Sequence, residues 1–250
     1  MQYAGTQVIV ALIVLLPGVG CAQNDRASDH AESTGSNGAG ATANDTGRAA
    51  DVANRSAAST SGSRRVIILG TSLTAGLGLD PDEAYPALLQ RKADSAGLRL
   101  EVVNAGLSGE TSAGALRRVG WVLDQPAAVV VLEVGANDGL RGVDPDTTYA
   151  NLRSIIAEAQ RLRPEAKVLL VQMEAPTNLG PGYTSRFHSA FVRAASESGV
   201  ELLPFLLEGV AGEARLNQGD GVHPNEIGSQ RVAENMWRAL LPTFTAAASR

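Results

Sequence analysis

The sequence predicts an α/β fold in which a parallel β-sheet carries helices on both faces. From residue 64 onward, short apolar segments rich in β-branched residues alternate with longer segments of helical periodicity. Such alternation is typical of parallel sheets, because each strand needs a crossover segment before the next. The segment 127–134 (AAVVVLEV) is apolar at nearly every position, as expected of a central strand that is covered on both faces.

Five segments are predicted as strands. The first is a β-branched run, RVIIL, that ends at Gly70. The predicted strands are 65–69, 98–104, 127–134, 167–173 and 200–203. Ligands of such sheets bind beyond the carboxyl ends of the strands, so polar residues at those ends are the candidates for chemistry.

Five longer segments are predicted as helices. The predicted helices are 84–96, 111–123, 147–162, 183–198 and 224–241. In the third of them Leu152, Ile155, Ile156 and Ala159 form one apolar stripe. Pro224 suits the first position of the closing helix, where a missing N–H costs nothing.

The N-terminal quarter has a different composition. Of the 42 residues in 22–63, 31 are Ala, Ser, Gly, Thr or Asn, and Val52 is the only large apolar side chain. Such a segment buries too little surface to offset its chain entropy, which predicts a disordered tether. The distribution of the ten aromatic residues also indicates that the folded part begins near residue 64, since all but Tyr3 follow that position.

The pattern of the first 21 residues predicts an export signal. The apolar run VIVALIVLL (8–16) is too short to span a bilayer but matches the core of a secretory signal. Gly20 precedes the only cysteine, which resembles a lipoprotein signal in which Cys21 would be lipidated; the alternative is ordinary cleavage near Ala22. We expect an export signal in 1–21, a tether in 22–63, a folded domain in 64–250, and a periplasmic or membrane-anchored protein.

Composition excludes several function classes. The net charge is −5, from 21 Lys+Arg and 26 Asp+Glu, and no basic stripe is present, so nucleic acid is not an expected partner. A single cysteine excludes an intramolecular disulfide and a thiolate zinc site. The three histidines of the chain leave little material for a histidine-rich metal centre.

Two of the predicted strands end in glycine-rich polar segments. The first, GTSLTAGLG (70–78), places Ser72 in a turn that enters a helix, where it is either an exposed nucleophile or a helix N-cap. The second, NAGLSGET (104–111), contains Gly106, whose N–H would approach a ligand without a Cβ in the way; a plain turn is the alternative.

Two further segments contribute an amide and a histidine. Asn137 lies in GANDG directly after the central strand, and it would either donate to an oxyanion or form an Asx-type turn. In DGVHPN (220–225), Asp220 precedes His223 by three residues. That spacing lets the carboxylate meet one ring nitrogen and leaves the other free as a base; a surface histidine at a capped helix start is the alternative.

Together the four segments resemble the SGNH (GDSL-type) hydrolase family, and its thioesterase I, lysophospholipase L1 and arylesterase branch in particular. The similarity lies in four segments, which follow the family's order along the chain: LTAGLGLDPDEAYPALLQ, NAGLSGETSAG, GANDGLRG and GDGVHPN. The resemblance implies a flavodoxin-like three-layer α/β/α sandwich with about five parallel strands. It also implies a serine hydrolase that needs no cofactor and acts on acyl esters, thioesters or lysophospholipids.

The resemblance also implies a role for individual residues. Ser72 matches the nucleophile, His223 the base and Asp220 the residue that orients the base. The N–H groups of Ser72 and Gly106 and the side chain of Asn137 match the oxyanion hole. Thr71 stands where the family's GDSL pattern has Asp, so we expect the loop to be held differently, with catalysis retained.

Substrate contacts are less specific in the sequence. Leu140 lies in a segment that resembles a mobile loop beside the acyl pocket, and Pro176, Asn178 and Tyr183 follow the fourth strand, as pocket residues or as plain loop. Two strand-end carboxylates, Glu133 and Glu174, would suit glycoside cleavage, but we expect Glu133 to bind loop backbone instead.

An esterase or thioesterase is the leading interpretation. The alternatives are a carbohydrate acetyl esterase of the same superfamily and a non-catalytic surface lipoprotein that retains the fold.

Overall fold

The computed structural model of the chain describes residues 64–249. The predicted export signal, the lipidation candidate Cys21 and the predicted tether lie outside the described residues.

Five parallel strands form one sheet in the order β2-β1-β3-β4-β5. Their bounds are Arg64–Gly70 (β1), Leu100–Gly106 (β2), Val129–Glu133 (β3), Lys167–Val171 (β4) and Glu201–Leu203 (β5). Gly70 at the end of β1 is in register with Gly106 on one side and with Glu133 on the other. The carboxyl ends of these three strands therefore lie side by side, where a site is expected.

Seven α-helices accompany the sheet in the described part of the chain. They are Ser72–Ala75 (α1), Tyr85–Ser95 (α2), Ser112–Val122 (α3), Ala136–Arg141 (α4), Pro145–Leu162 (α5), Pro181–Ser198 (α6) and Glu226–Ala248 (α7), and a 3-10 turn spans Thr177–Leu179. None of these helices is long and apolar enough to cross a membrane.

The helices form two outer layers. α2 packs on α7, whereas α5 packs between α3 and α6. From β1 the chain passes to β2 at one edge of the sheet; it then crosses back over β1 to β3 and continues through β4 to β5 at the other edge. Right-handed crossovers therefore place α2 on one face of the sheet and α3, α5 and α6 on the other. The predicted three-layer α/β/α sandwich with five parallel strands is confirmed.

The central strand is the most deeply buried element. All five side chains of β3 are buried, and Val129, Val130, Val131 and Leu132 have no exposed surface. β3 is the third of five strands, as its apolar sequence predicts. Each such side chain contributes about 1.5–3 kcal/mol through burial, so the sheet forms a firm base for the loops above it.

The closing helix differs from its prediction at both ends. It begins at Glu226, after Asn225, whose side chain accepts from the Gly228 N–H. Pro224 instead forms a β-bridge with Asn217, so its assignment to the first helical position was wrong. The helix also continues through Pro242, because Phe244 and Ala247 beyond it are buried in the core and offset the lost hydrogen bond.

Candidate active site

The end of β1 presents Ser72 at the start of a short helix. Thr71, in an extended conformation, is the N-cap of α1 and accepts from the Leu73 N–H at 3.4 Å, so the cap is Thr71 and not Ser72. Ser72 is 7% exposed. Gly76 ends the helix in the left-handed conformation, and the Leu77 N–H donates to the Ser72 carbonyl at 3.0 Å. Ser72 is thereby held on a tight strand-to-helix turn.

His223, which lies far from Ser72 in the sequence, contacts it in the fold. Its Nε2 lies 2.9 Å from Ser72 Oγ, across 151 positions of sequence. The His223 ring is mostly buried, with 16% of the side chain exposed. A histidine nitrogen at this distance is placed to take the proton of the hydroxyl.

Asp220 fixes the orientation of His223. One of its oxygens, Oδ2, lies 2.6 Å from His223 Nδ1, and Oδ1 accepts from the N–H groups of Val222 and His223 at 2.9 and 3.0 Å. Hydrogen bonds from the His223 N–H, the His223 ring and the Val222 N–H lower the pKa of Asp220 to about 2. The carboxylate is therefore ionised and accepts from Nδ1–H, which leaves Nε2 as the acceptor for the Ser72 hydroxyl.

Asn137 lies in the first turn of α4, just beyond β3, and is 8% exposed. One of its amide hydrogens is used locally, because Nδ2 donates to the Glu110 carbonyl at 3.0 Å. The contact joins α4 to the segment that follows β2. A second Nδ2 hydrogen remains as a donor, as an oxyanion role requires.

Gly106 does not fit the donor role assigned to it. Its N–H donates to Asn104 Oδ1 at 2.9 Å, and Asn104 Nδ2 donates to the Thr74 carbonyl. A Cβ on Gly106 would lie 2.2 Å from the Ala75 nitrogen, so the glycine is needed for the close approach of β2 to α1. Gly109, with φ of 77°, is different, because its N–H meets no acceptor within residues 64–249.

A buried ion pair supports this segment. Arg118 donates from Nε and Nη2 to both oxygens of Glu110, at 2.6 and 2.7 Å. The same Nη2 also reaches the carbonyls of Gly70 and Ala105, at the ends of β1 and β2. Arg118 therefore ties two strand ends to the residue whose carbonyl holds Asn137.

Glu133 lies beneath the Ser72 turn at the end of β3. It is fully buried and accepts from the Thr71 N–H, the Thr71 hydroxyl and the Thr74 hydroxyl. Burial raises the pKa of Glu133 to about 7, and these hydrogen bonds limit the rise. The predicted contact between Glu133 and loop backbone is thus present, and the glycosidase interpretation has no support, because Glu174 pairs with His188 instead.

A small, mostly apolar cleft opens beside Ser72 and His223. Its lining includes Leu73, Leu77, Leu79, Leu206, Leu207 and Val232. None of the four predicted substrate residues lines it. Leu140 and Asn178 are exposed, Pro176 precedes the 3-10 turn, and the Tyr183 hydroxyl donates to the Val143 carbonyl at 2.7 Å.

Sequence reasoning did not single out Arg118, Glu110 or the two leucines that follow β5. Arg118 follows Glu110 by eight residues, across a helix start, and no local pattern marks such a pair. Within residues 64–249, no three His, Cys, Asp or Glu side chains converge in a way that would hold a metal ion.

Comparison with known proteins identifies the relatives of this arrangement. The model of the GDSL-like Lipase/Acylhydrolase family matches residues 68–231. Esterase TesA of Pseudomonas aeruginosa is 42% identical over 179 residues, which cover 71% of this chain and 88% of that protein. Thioesterase 1/protease 1/lysophospholipase L1 of Escherichia coli is 38% identical over 178 residues, 71% of this chain and 83% of that protein.

The fold has solved counterparts. The crystal structure of the psychrotrophic esterase EstA from Pseudoalteromonas sp., inhibited by monoethylphosphonate, superimposes with a TM-score of 0.69 at 33% identity. The superposition covers 73% of this chain and 99% of that one.

Proposed function

The chain belongs to the GDSL-like lipase/acylhydrolase family, and on that premise we propose that it is a serine esterase or thioesterase whose catalytic triad is Ser72, His223 and Asp220. The observation that carries the proposal is the unbroken chain of hydrogen bonds from Ser72 Oγ through His223 to Asp220. A serine hydroxyl is a weak nucleophile until a neighbouring base accepts its proton.

The proposed mechanism is a sequence of proton transfers. His223 Nε2 takes the proton of Ser72 Oγ as the oxygen attacks the acyl carbon, and Asp220 stabilises the imidazolium that forms. The imidazolium then protonates the leaving alcohol or thiol, and an acyl-serine ester remains. Water attacks this ester in the same way, with His223 again as the base, and releases the carboxylic acid and free Ser72.

The negative oxygen of each tetrahedral intermediate needs fixed donors. We assign the Ser72 N–H and the free Nδ2 hydrogen of Asn137 to this task. The third donor in this proposal is the Gly109 N–H rather than that of Gly106, since the Gly106 N–H already has an acceptor. Gly109 directly precedes Glu110, whose carbonyl binds Asn137, so the two donors belong to one hydrogen-bonded unit.

The apolar cleft indicates the substrate class. Leucine and valine side chains line the space beside Ser72 and offer contacts to an acyl chain, and no Asp, Glu, Lys or Arg is among the lining residues. The relatives bear the names of an esterase and of a thioesterase and lysophospholipase. Acyl esters and thioesters, including lysophospholipids, are therefore the proposed substrates.

The test is hydrolysis of p-nitrophenyl acyl esters of increasing chain length by the full chain and by its Ser72→Ala variant. We expect hydrolysis by the native protein and loss of at least about three orders of magnitude in kcat on substitution. Ser154→Ala is a matched control, because that hydroxyl donates to the Ala150 carbonyl on the exposed face of α5. A Ser72→Ala protein with full activity would overturn the proposal, and activity on acetyl esters of glycans alone would redirect it to carbohydrate deacetylation.

We also propose that the protein is exported and anchored through Cys21. The support is the apolar run 8–16 and the small residue that precedes Cys21. The mass of the N-terminal peptide from membrane-extracted protein distinguishes the outcomes. A diacylglyceryl adduct on Cys21 supports the anchor, whereas an unmodified N-terminus at Ala22 indicates ordinary signal cleavage.

A further inference from the structure

The Glu133 carboxylate accepts hydrogen bonds from Thr71 and Thr74 of the Ser72 turn. Oε2 accepts from the Thr71 N–H at 2.8 Å and from the Thr74 hydroxyl at 2.7 Å, and Oε1 accepts from the Thr71 hydroxyl at 3.0 Å. Thr71 directly precedes Ser72 and caps α1, and Thr74 lies two residues beyond it. One buried side chain therefore holds the turn on both sides of the nucleophile.

The hydrogen bonds around Glu133 favour the ionised carboxylate. When Glu133 is ionised, the Thr74 hydroxyl donates to it, and the Tyr85 hydroxyl, 2.8 Å from Thr74 Oγ1, donates to Thr74. Thr71 Oγ1 likewise accepts from the Leu73 N–H while its own hydrogen points to Glu133. A proton on Glu133 Oε2 would reverse this chain, because Glu133 would then donate to Thr74 Oγ1 and the Thr74 hydroxyl would donate to the Tyr85 oxygen. The hydrogen of the buried Tyr85 hydroxyl would then have no acceptor among the described residues.

We propose that ionised Glu133 is a positioning residue for the reaction, because it holds Ser72 Oγ within reach of His223 through Thr71 and Thr74. This inference rests on the proposed function, since it assigns Ser72 as the nucleophile. Glu133 does not line the cleft and touches no substrate, so it acts on the rate of the chemical step and not on substrate binding. Displacements of about 1 Å at a reacting atom cost about 100-fold in rate, which gives such a support its importance.

The surroundings of Glu133 contain few other ionisable groups. Tyr85 is the ionisable group on α2. Burial and the charge of Glu133 raise the pKa of its phenol well above the usual range. β1 presents Gly70, whose carbonyl accepts from Arg118 on its other side. Lys167 lies at the opposite end of β4, in register with Val129 of β3. His223 contacts Ser72 and makes no hydrogen bond to Glu133. Burial opposes ionisation and raises the pKa of Glu133 to about 7, so the proposed support is lost in mildly acidic solution.

The test is the pH dependence of kcat/KM of the full chain and of its Glu133→Gln variant. In the native enzyme protonation of Glu133 adds an about 10- to 100-fold loss to the loss caused by protonating the general base, so log kcat/KM falls by more than about one decade per pH unit around pH 7. In the variant we expect a kcat about 10- to 100-fold lower at pH 8, an unchanged KM and a limb of about one decade per pH unit. A native limb of one decade per unit, or a variant limb as steep as the native one, would overturn the proposal.

Two further sets of variants keep the test decisive. Glu158→Gln is the control, because Glu158 is paired with Arg161 on the surface of α5, and its limb should match the native one. If Glu133→Gln does not fold, Thr71→Val removes the hydroxyl at constant size and Thr71→Ser restores it. A tenfold loss of kcat in the valine variant and recovery in the serine variant support the proposal, whereas native kcat in Thr71→Val contradicts it. The proposed function fails separately, through activity that persists in Ser72→Ala.

Discussion

Arg118 holds the carboxylate of Glu110 in two charge-assisted hydrogen bonds, while the main-chain carbonyl of Glu110 accepts the side-chain amide of Asn137. The carboxylate is nearly inaccessible to solvent, with 4% of the side chain exposed. A proposed oxyanion donor on α4 thus depends on an ion pair between α3 and the segment that follows β2. The arrangement links the stability of the domain to its chemistry.

Removing Arg118 should affect both properties. In Arg118→Ala the Glu110 carboxylate stays buried without its partner, which costs about 3–5 kcal/mol of unfolding free energy. Denaturant unfolding measures this loss, and kcat should fall as Asn137 loses its support. The double variant Arg118→Ala, Glu110→Gln should recover part of the lost stability. A single variant as stable as the native protein would show that the pair is not a structural support.

Asn137→Ala should lower kcat and leave KM nearly unchanged. Loss of one oxyanion donor typically costs about 100- to 1000-fold in kcat, because the donor is used chiefly in the transition state. The Glu110 carbonyl also loses its hydrogen bond, so circular dichroism and a thermal melt should accompany the kinetics. A raised KM with an unchanged kcat would argue for a role in binding instead.

Asp220→Asn should abolish most activity without unfolding the protein. An amide N–H facing His223 Nδ1 would place the ring hydrogen on Nε2, where it can no longer accept the Ser72 proton. We expect a loss of about 1000- to 10,000-fold in kcat. Since the pKa of Asp220 is about 2, native activity lost between pH 5 and 7 does not come from this residue. Asp94→Asn, on the exposed end of α2, serves as the control, and equal activity of both variants would refute the assignment.

Glu133 should make the native protein less stable as pH rises. Its folded pKa of about 7 exceeds the ordinary value of 4.5, so the native state binds more protons than the unfolded state between these values. The stability of the native protein relative to Glu133→Gln should therefore fall by about 3 kcal/mol between pH 4 and pH 8. Chemical denaturation at both pH values measures this difference. A constant difference would mean that Glu133 titrates normally in the folded protein.

The sequence was sufficient to predict the sheet and its layers. The apolar run 127–134 identified the central strand, because only a strand covered on both faces tolerates so few polar residues. The second strand begins two residues later than predicted, since Leu98 is used in the turn after α2, where its N–H donates to the Ala93 carbonyl. The helix 136–141 was not predicted, because six residues that contain Asn, Asp and Gly carry no helical periodicity.

The candidate site could be predicted only where short segments carry its chemistry. Ser72, His223 and Asp220 each stand in a distinctive local pattern, and the structure brings them into contact. Gly106 was chosen as the first glycine after a strand, and nothing local reveals that Asn104 occupies its N–H. The cleft was equally hidden, because Leu206 and Leu207 reach it only through the order of strands in the sheet.

The most direct test of the central claim is covalent labelling of the full chain with a fluorophosphonate, followed by peptide mass spectrometry. Only a serine whose proton is accepted by a neighbouring base reacts rapidly with such a reagent. The proposed triad predicts one phosphonyl adduct, on Ser72, in the native protein and almost none in His223→Ala. An unlabelled Ser72 in the native protein, or equal labelling after loss of His223, would contradict it.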